Sequence, residues 1–143
     1  MRTSVAGRRL IQDFEGFHST RYLCPAGLPT IGHGHVLRKN EVFTRITLRD
    51  GEALLVRDLE AVEGALESLV TAPLTQNQFD ALASLIYNIG SGNFARSTLL
   101  KRLNEGRYAE AAEQFGRWVK SGDKTLPGLV KRRAAEMQLF LKV

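Results

Sequence analysis

Only one cysteine, Cys24, occurs in the 143 residues. An internal disulfide framework and a multi-cysteine zinc site are therefore excluded. Proline is scarce, with four residues. No apolar run approaches the ~18–20 residues that a membrane-spanning helix requires. The stretch from Met1 to Leu10 holds Arg2, Arg8 and Arg9 but no apolar segment behind them, so it does not read as a secretory signal. Neither a repeat nor a linker-like run is present. With 43% hydrophobic and 24% charged residues, the chain is not a disordered or low-complexity segment. A soluble chain of this size hides roughly 68–70% of its unfolded surface, enough for one real core. Charge is the compositional excess: 20 Lys and Arg against 15 Asp and Glu, formally +5. That balance favours an anionic partner such as nucleic acid, a membrane surface or an acidic cell-wall polymer, without choosing among them.

Local signals predict short helices around one irregular, glycine-rich stretch. Ser4 reads as the N-cap of a helix carrying Leu10, Ile11 and Phe14 and stopping at Glu15–Gly16. From Phe17 to Val36 the helical period vanishes. Gly27, Gly32, Gly34, Pro25 and Pro29 there predict turns and a small hairpin sheet. Thr47 with Asp50 forms a capping box ahead of a long helix whose apolar face is Leu55, Leu59, Val62, Leu66 and Leu69. Thr75 with Gln78 forms another, ahead of Phe79, Leu82, Ala83, Ile86 and Ile89, with Gly90 as the stop. A short helix follows from Ser97, then one lined by Tyr108, Ala111, Ala112, Phe115 and Val119. The last starts after Pro127-Gly128 and is expected to bury Leu129, Val130, Met137 and Phe140. The fold class is thus α+β with segregated sheet and helices, the long helix bridging two lobes. Clefts between lobes are common ligand sites.

Glu15 lies four residues after Ile11, on the apolar side of its helix and in its last turn. Burial and the negative end of the helix dipole both favour a protonated carboxyl there, which is what a general acid needs. The competing reading is a structural glutamate held by an arginine. Cys24 sits in a turn-rich segment, where a thiolate could act as base or nucleophile, or an incidental thiol could stand. Thr30 alone reads as an ordinary strand residue. His33 and His35 would share one face of a strand and could, with Cys24 or His18, hold a metal. They lack a metal-site spacing motif, and His35 can equally pair with an acid, so no metal and no cofactor are expected. Arg132 and Arg133 begin the last helix. Arg133, between Leu129 and Met137 on the inner face, could neutralise Glu15, steer an anionic polymer or belong to a solvated basic face.

Taken together, Glu15, Cys24 and Thr30 in this spacing resemble the Glu–Asp/Cys–Thr triad of phage-type lysozymes, glycoside hydrolase family 24, the endolysins of tailed phages. The runs Tyr22-Leu23-Cys24-Pro25-Ala26-Gly27 and Thr30-Ile31-Gly32-His33-Gly34-His35 are similar to that family's hairpin. Leu74 to Leu82, Tyr87-Asn88-Ile89-Gly90, and Leu126 to Glu136 resemble its further signatures. The resemblance spans about residues 5 to 141. It implies one domain over residues 1–143, with a small lobe over about 14–55 and a helical lobe of 1–13 plus 56–143.

The resemblance also implies an activity: an endolysin muramidase cutting the β-1,4 bond between N-acetylmuramic acid and N-acetylglucosamine in peptidoglycan. Glu15 would be the general acid. Cys24 would occupy the base or stabiliser position that usually holds aspartate, and Thr30 would position water, in an inverting geometry. Val36, Tyr87, Ser97 and Gln114 would line the substrate groove, Gln114 standing where the family pattern has asparagine. His35 matches a structural histidine. Basic charge suits the free carboxylates of peptidoglycan stem peptides. Without an apolar N-terminal anchor, the expected route is the host cytoplasm, then release to the periplasm and cell wall at lysis through a separate holin. A monomer is expected. The alternatives are a lytic transglycosylase on the same bond, using Glu15 without water, and an inactive lysozyme-like structural protein. A nucleic-acid-binding module is the third, disfavoured because the cations are scattered and no aromatic stacking set accompanies them.

Overall fold

Asp80, on the third helix of the chain, ties down the start of the first. The computed structural model describes all 143 residues, and helix α1 runs Val5–Glu15. Ser4 caps it by accepting from Gly7 N. Its hydroxyl and its backbone N–H both donate to the buried carboxylate of Asp80. A Cβ at Gly7 would come 2.6 Å from Asp80 Cγ, so the close approach of the two helices requires glycine there. Of the apolar positions in α1, Ile11 is buried, whereas Phe14 is 37% exposed, contrary to expectation. Phe14 is three residues on from Ile11, only about 60° away around the helix, at the edge of the face that meets the core.

After α1 come β1 (His18–Leu23), β2 (Pro29–Gly32) and β3 (His35–Val36), an antiparallel sheet in that order. Tyr22 pairs with Thr30 and Leu23 with Pro29, so Cys24 follows directly at the β1–β2 turn. Ile31 pairs with His35 and Thr30 with Val36. His33 is therefore in the turn between strands, not on one, and does not share a strand face with His35.

The capping boxes at Thr47/Asp50 and Thr75/Gln78 open α2 (Leu48–Leu69) and α3 (Gln76–Ile89). Every residue of α3 from Phe79 to Ile86 is buried. A helix buried on every side is a central one, and α1, α2 and the C-terminal helix pack on it. Around it come α4 (Ser91–Ala95), α5 (Thr98–Asn104), α6 (Tyr108–Glu113), a 3-10 turn over Gln114–Arg117, the β4–β5 hairpin (Lys120–Ser121, Lys124–Thr125) and α7 (Pro127–Leu141). Val119 falls beyond the helix expected to hold it, because the 3-10 turn ends that segment at Arg117.

Two clusters of buried side chains result. The larger joins Ile11, Leu55, Leu59, Leu66, Phe94, Phe115 and Phe140 to α3. The smaller is Ile31, Ile46 and Leu54 beneath the sheet. Because α2 supplies Leu54 to one and Leu55, Leu59 and Leu66 to the other, it carries the sheet rigidly against the helices. Each such buried leucine is worth about 1.5–3 kcal/mol relative to exposure. α7 departs from its expected face: Val130 is 45% exposed, and Arg132, Arg133 and Glu136 are buried with Phe140. The inward face is set by ion pairs, one within the helix (Arg133–Glu136) and one reaching across the fold (Arg132–Glu15), rather than by an apolar stripe.

Candidate active site

Glu15 is the last residue of α1, and Gly16, at φ 72°, turns the chain away into the sheet. The carboxylate is 19% exposed. Arg132 Nη1 donates to its Oε2 at 2.7 Å, across 117 residues of sequence. The partner is thus Arg132, not Arg133: at 100° per helical residue, the two adjacent arginines point to different neighbours. Of the two readings of Glu15, the carboxylate held by an arginine is the one this contact matches. Its other oxygen faces Gly34. A Cβ at Gly34 would lie 2.7 Å from Oε1 and 3.1 Å from the carboxyl carbon, and Gly34 has φ +86°. Tyr87 closes the same corner, its hydroxyl donating to His33 O at 2.8 Å. Burial, with the nearby carboxylates of Asp58 and Glu15, pushes the Tyr87 phenol far up, so it stays a donor.

Cys24 is half-buried at the end of β1. Its N–H donates to Leu28 O at 3.0 Å, and Gly27 N–H donates to Cys24 O at 2.7 Å, which folds the turn back on the sulfur. The Leu28 backbone N–H lowers the thiol below its ordinary range; the Ala26 and Gly27 N–H groups and the Thr30 hydroxyl add to this against partial desolvation. Thr30 is buried, and its hydroxyl donates to Leu28 O at 2.8 Å. One hydroxyl proton cannot serve Leu28 O and a thiolate together, so ionisation of Cys24 competes with the bond to Leu28. Tyr22, stacked on His18 at 3.9 Å between centroids, stands by both catalytic candidates. Burial first, then the charges of Glu15 and Cys24, push its phenol upward.

The histidines are engaged by the protein itself. His33 Nδ1 meets Gly16 O at 2.7 Å, fixing the end of α1 to the β2–β3 turn. His35 Nδ1 lies 2.7 Å from Asp58 Oδ2 and its Nε2 2.9 Å from Glu41 Oε1, so both nitrogens are occupied. Burial pushes Asp58 upward, whereas the Arg38 N–H holds Glu41 below the usual carboxylate range.

Of the other expected groove residues, Val36 and Tyr87 line a cavity of about 300 Å³ with Gly34 and Asp58. Ser97 and Gln114 line a separate one of about 380 Å³ with Arg96, Arg117 and Trp118. The Ser97 hydroxyl caps α5 and donates to Phe94 O, which leaves it little capacity for a ligand. A third cavity, about 340 Å³, runs from Pro25, next to Cys24, past Asn88 to Trp118 and Lys120. Trp118 therefore walls both cavities on the helical side. Arg117 and Lys120 make no ion pair, and Arg96 bonds only the Asn93 carboxamide, so this end of the cleft is cationic. The more apolar cavity at Phe43, Ile46 and Leu54 lies under the sheet, away from Glu15. Sequence reasoning missed Gly34, Trp118 and Glu136. The two glycines flanking His33 were the local signal for the first, and the i+3 and i+4 spacing of Glu136 from Arg133 and Arg132 was one for the third, whereas nothing local marks Trp118.

The phage lysozyme family model matches residues 12–136. An endolysin of Acyrthosiphon pisum secondary endosymbiont phage 1 is 44% identical over 144 residues, covering 98% of each chain. The endolysin of Salmonella phage P22 is 43% identical over 145 residues, covering 99% of each. Among solved structures, the muramidase domain of SpmX from Asticaccaulis excentricus superposes with a TM-score of 0.91 at 41% identity, covering 99% of both chains.

Proposed function

The chain belongs to the phage lysozyme family of glycoside hydrolases, and from that premise we propose an endolysin muramidase that hydrolyses the β-1,4 bond between N-acetylmuramic acid and N-acetylglucosamine in peptidoglycan. The observation that carries this reading is the Glu15 carboxylate. One oxygen is clamped by Arg132, and the other faces the cleft over a glycine whose bare backbone makes room for it.

Glu15 protonates the glycosidic oxygen as the bond breaks. Cys24 is the base on the other side of the sugar. Backbone N–H groups favour its thiolate, which answers the weakness of a neutral thiol in that role. Thr30 Oγ1 keeps a free lone pair to hold the attacking water beside the sulfur. The cavity at Val36 and Tyr87, beside Gly34, receives sugars on one side of the scissile bond, and the cavity from Pro25 to Trp118 receives them on the other, with Ser97 and Gln114 beyond Trp118. The cations at the Trp118 end draw in a polymer bearing stem-peptide carboxylates, more weakly as salt rises. No helix is long and apolar enough to cross a membrane. The protein acts as a monomer on the cell wall, reaching it from the host cytoplasm through a separate holin.

Release of reducing ends from purified Gram-negative peptidoglycan tests this. Glu15→Gln abolishes release while the circular dichroism spectrum is unchanged. Cys24→Asp preserves activity, and Cys24→Ser lowers it by a large factor. A fully active Glu15→Gln removes Glu15 from the acid role, and a fully active Cys24→Ser makes the thiol a bystander.

A further inference from the structure

α7 turns charge into the protein. Arg132, Arg133 and Glu136 are 4%, 1% and 0% exposed. Glu136 Oε2 accepts from the Ser84 hydroxyl at 2.5 Å, from Arg132 Nε at 3.3 Å and from Arg133 Nη2 at 3.2 Å. Its Oε1 lies 2.7 Å from Arg133 Nε. Arg132 then reaches Glu15, and its Nη2 donates to Ser84 O at 3.1 Å. Arg133 Nη1 donates to Trp118 O at 3.2 Å. Glu136 is therefore the anion shared by the cation that holds Glu15 and the cation that holds the Trp118 wall. Well-packed apolar side chains of similar volume would serve stability as well or better. A role in the chemistry accounts for the network where stability does not. A guanidinium beside a general acid works against the proton that acid has to carry, and a second carboxylate on the same guanidinium offsets it.

We propose that Glu136 is a positioning residue for the reaction: by holding Arg132 between two carboxylates, it sets the pH range in which Glu15 can act as the acid. This rests on the reading of Glu15 given above. Behind Arg132, the network holds Arg133 and Glu136 on α7. Tyr87 on α3 and Tyr22 on β1 also face Glu15, with Asp58 and Cys24 beside them in turn. Both phenols are pushed upward, so neither ionises in the working range. Burial also raises Glu136, against the pull of both guanidiniums, so its charge depends on the Ser84 hydroxyl and on the two arginines.

The sign follows from the charges. Two guanidiniums and two carboxylates sum to zero. Loss of the Glu136 charge leaves Arg132 wholly to Glu15, which then gives up its proton at lower pH. Activity needs that proton, so the alkaline fall of kcat/KM moves to lower pH. Glu136→Gln moves it by about one unit, a loss that approaches tenfold on the alkaline side of the wild-type midpoint. Ser84→Ala weakens the Glu136 anion and moves it the same way by less. Phe140→Leu, buried on α7 outside the network, lowers Tm and leaves the profile in place. The measurement is the pH profile of reducing-end release from purified peptidoglycan, beside Tm for each variant. An unmoved profile in folded Glu136→Gln overturns the proposal, as does an equal shift in Phe140→Leu. If Glu136→Gln does not fold, Ser84→Ala decides by the same criterion. A fully active Glu15→Gln fails the acid reading itself, whereas an inactive Glu15→Gln with an unmoved Glu136→Gln profile fails only this proposal.

Discussion

Replacing Gly34 by alanine separates the placement of Glu15 from the stability of the fold. The added Cβ would lie 2.7 Å from Glu15 Oε1, about 0.8 Å inside the ~3.5 Å at which non-bonded heavy atoms rest comfortably. The backbone at φ +86° adds strain, about 1–2 kcal/mol for an L-residue in the left-handed region. Because the carboxylate is pinned at its other oxygen by Arg132, relief comes from turning it, from moving the His33–Gly34 turn, or from both. A misplacement of about 1 Å at a reacting group can cost about 100-fold. Gly34→Ala is therefore expected to lose about 100-fold in kcat/KM while its Tm falls by only about 3–6 °C. Gly106→Ala is the matched control, since Gly106 has φ +78° and nothing within 4 Å of an added Cβ. It should lose similar Tm and no activity. Reducing-end release at 20 °C, with thermal denaturation by circular dichroism, decides. Gly34→Ala with kcat/KM within twofold of wild type would refute the claim that this glycine makes room for the catalytic carboxylate.

Further outcomes follow from individual contacts. Ser4→Ala removes both a helix cap and a donor to buried Asp80. It should cost about 2–3 kcal/mol and lower Tm by about 6–9 °C; a fall under 2 °C contradicts the double role. Alkylation of Cys24 by iodoacetamide should reach half its maximal rate below the ordinary thiol range of about 8.5, because the Leu28 N–H favours the thiolate. A midpoint at or above that value contradicts it. The Asp50 carboxylate is held below its ordinary range by the Thr47 N–H. A depressed folded value gives stability that is present above the unfolded value and lost as pH falls through the folded one. Asp50→Asn should therefore lower Tm at neutral pH, and the difference should close below about pH 4. A gap that persists at low pH would assign the loss to something other than charge.

Local chemistry made much of the fold legible. A cap such as Thr47 with Asp50 lies within one turn, so the sequence shows both partners at once, and α1, α2, α3 and α5 begin where their caps predict. The five-residue α4 and the two-residue strands β4 and β5 left no periodic signal to read. On α7 the apolar-stripe rule chose Val130; it put Arg133 on the inner face but overlooked Arg132 and Glu136 as buried beside it. Charged residues are buried only when partnered, and these partners, Glu15, Ser84 and Trp118, come from three other segments. For the same reason the sequence pointed to an arginine for Glu15 but to the wrong neighbour. The phase of Arg132 and Arg133 depends on how α7 docks on α3, which no local window contains. The Cys24–Thr30 part of the spacing was legible because the β1–β2 hairpin that joins the two is itself local.

Hydrolysis at a muramic acid carbon is the central claim, and the ends of the released fragments test it most directly. Mass spectrometry of sugars from purified Gram-negative peptidoglycan should show reducing N-acetylmuramic acid ends with wild type and none with Glu15→Gln. Anhydro-muramic ends would mean a transglycosylase that uses Glu15 without water and leaves Thr30 idle. The absence of any fragment from wild type would contradict the enzymatic account altogether.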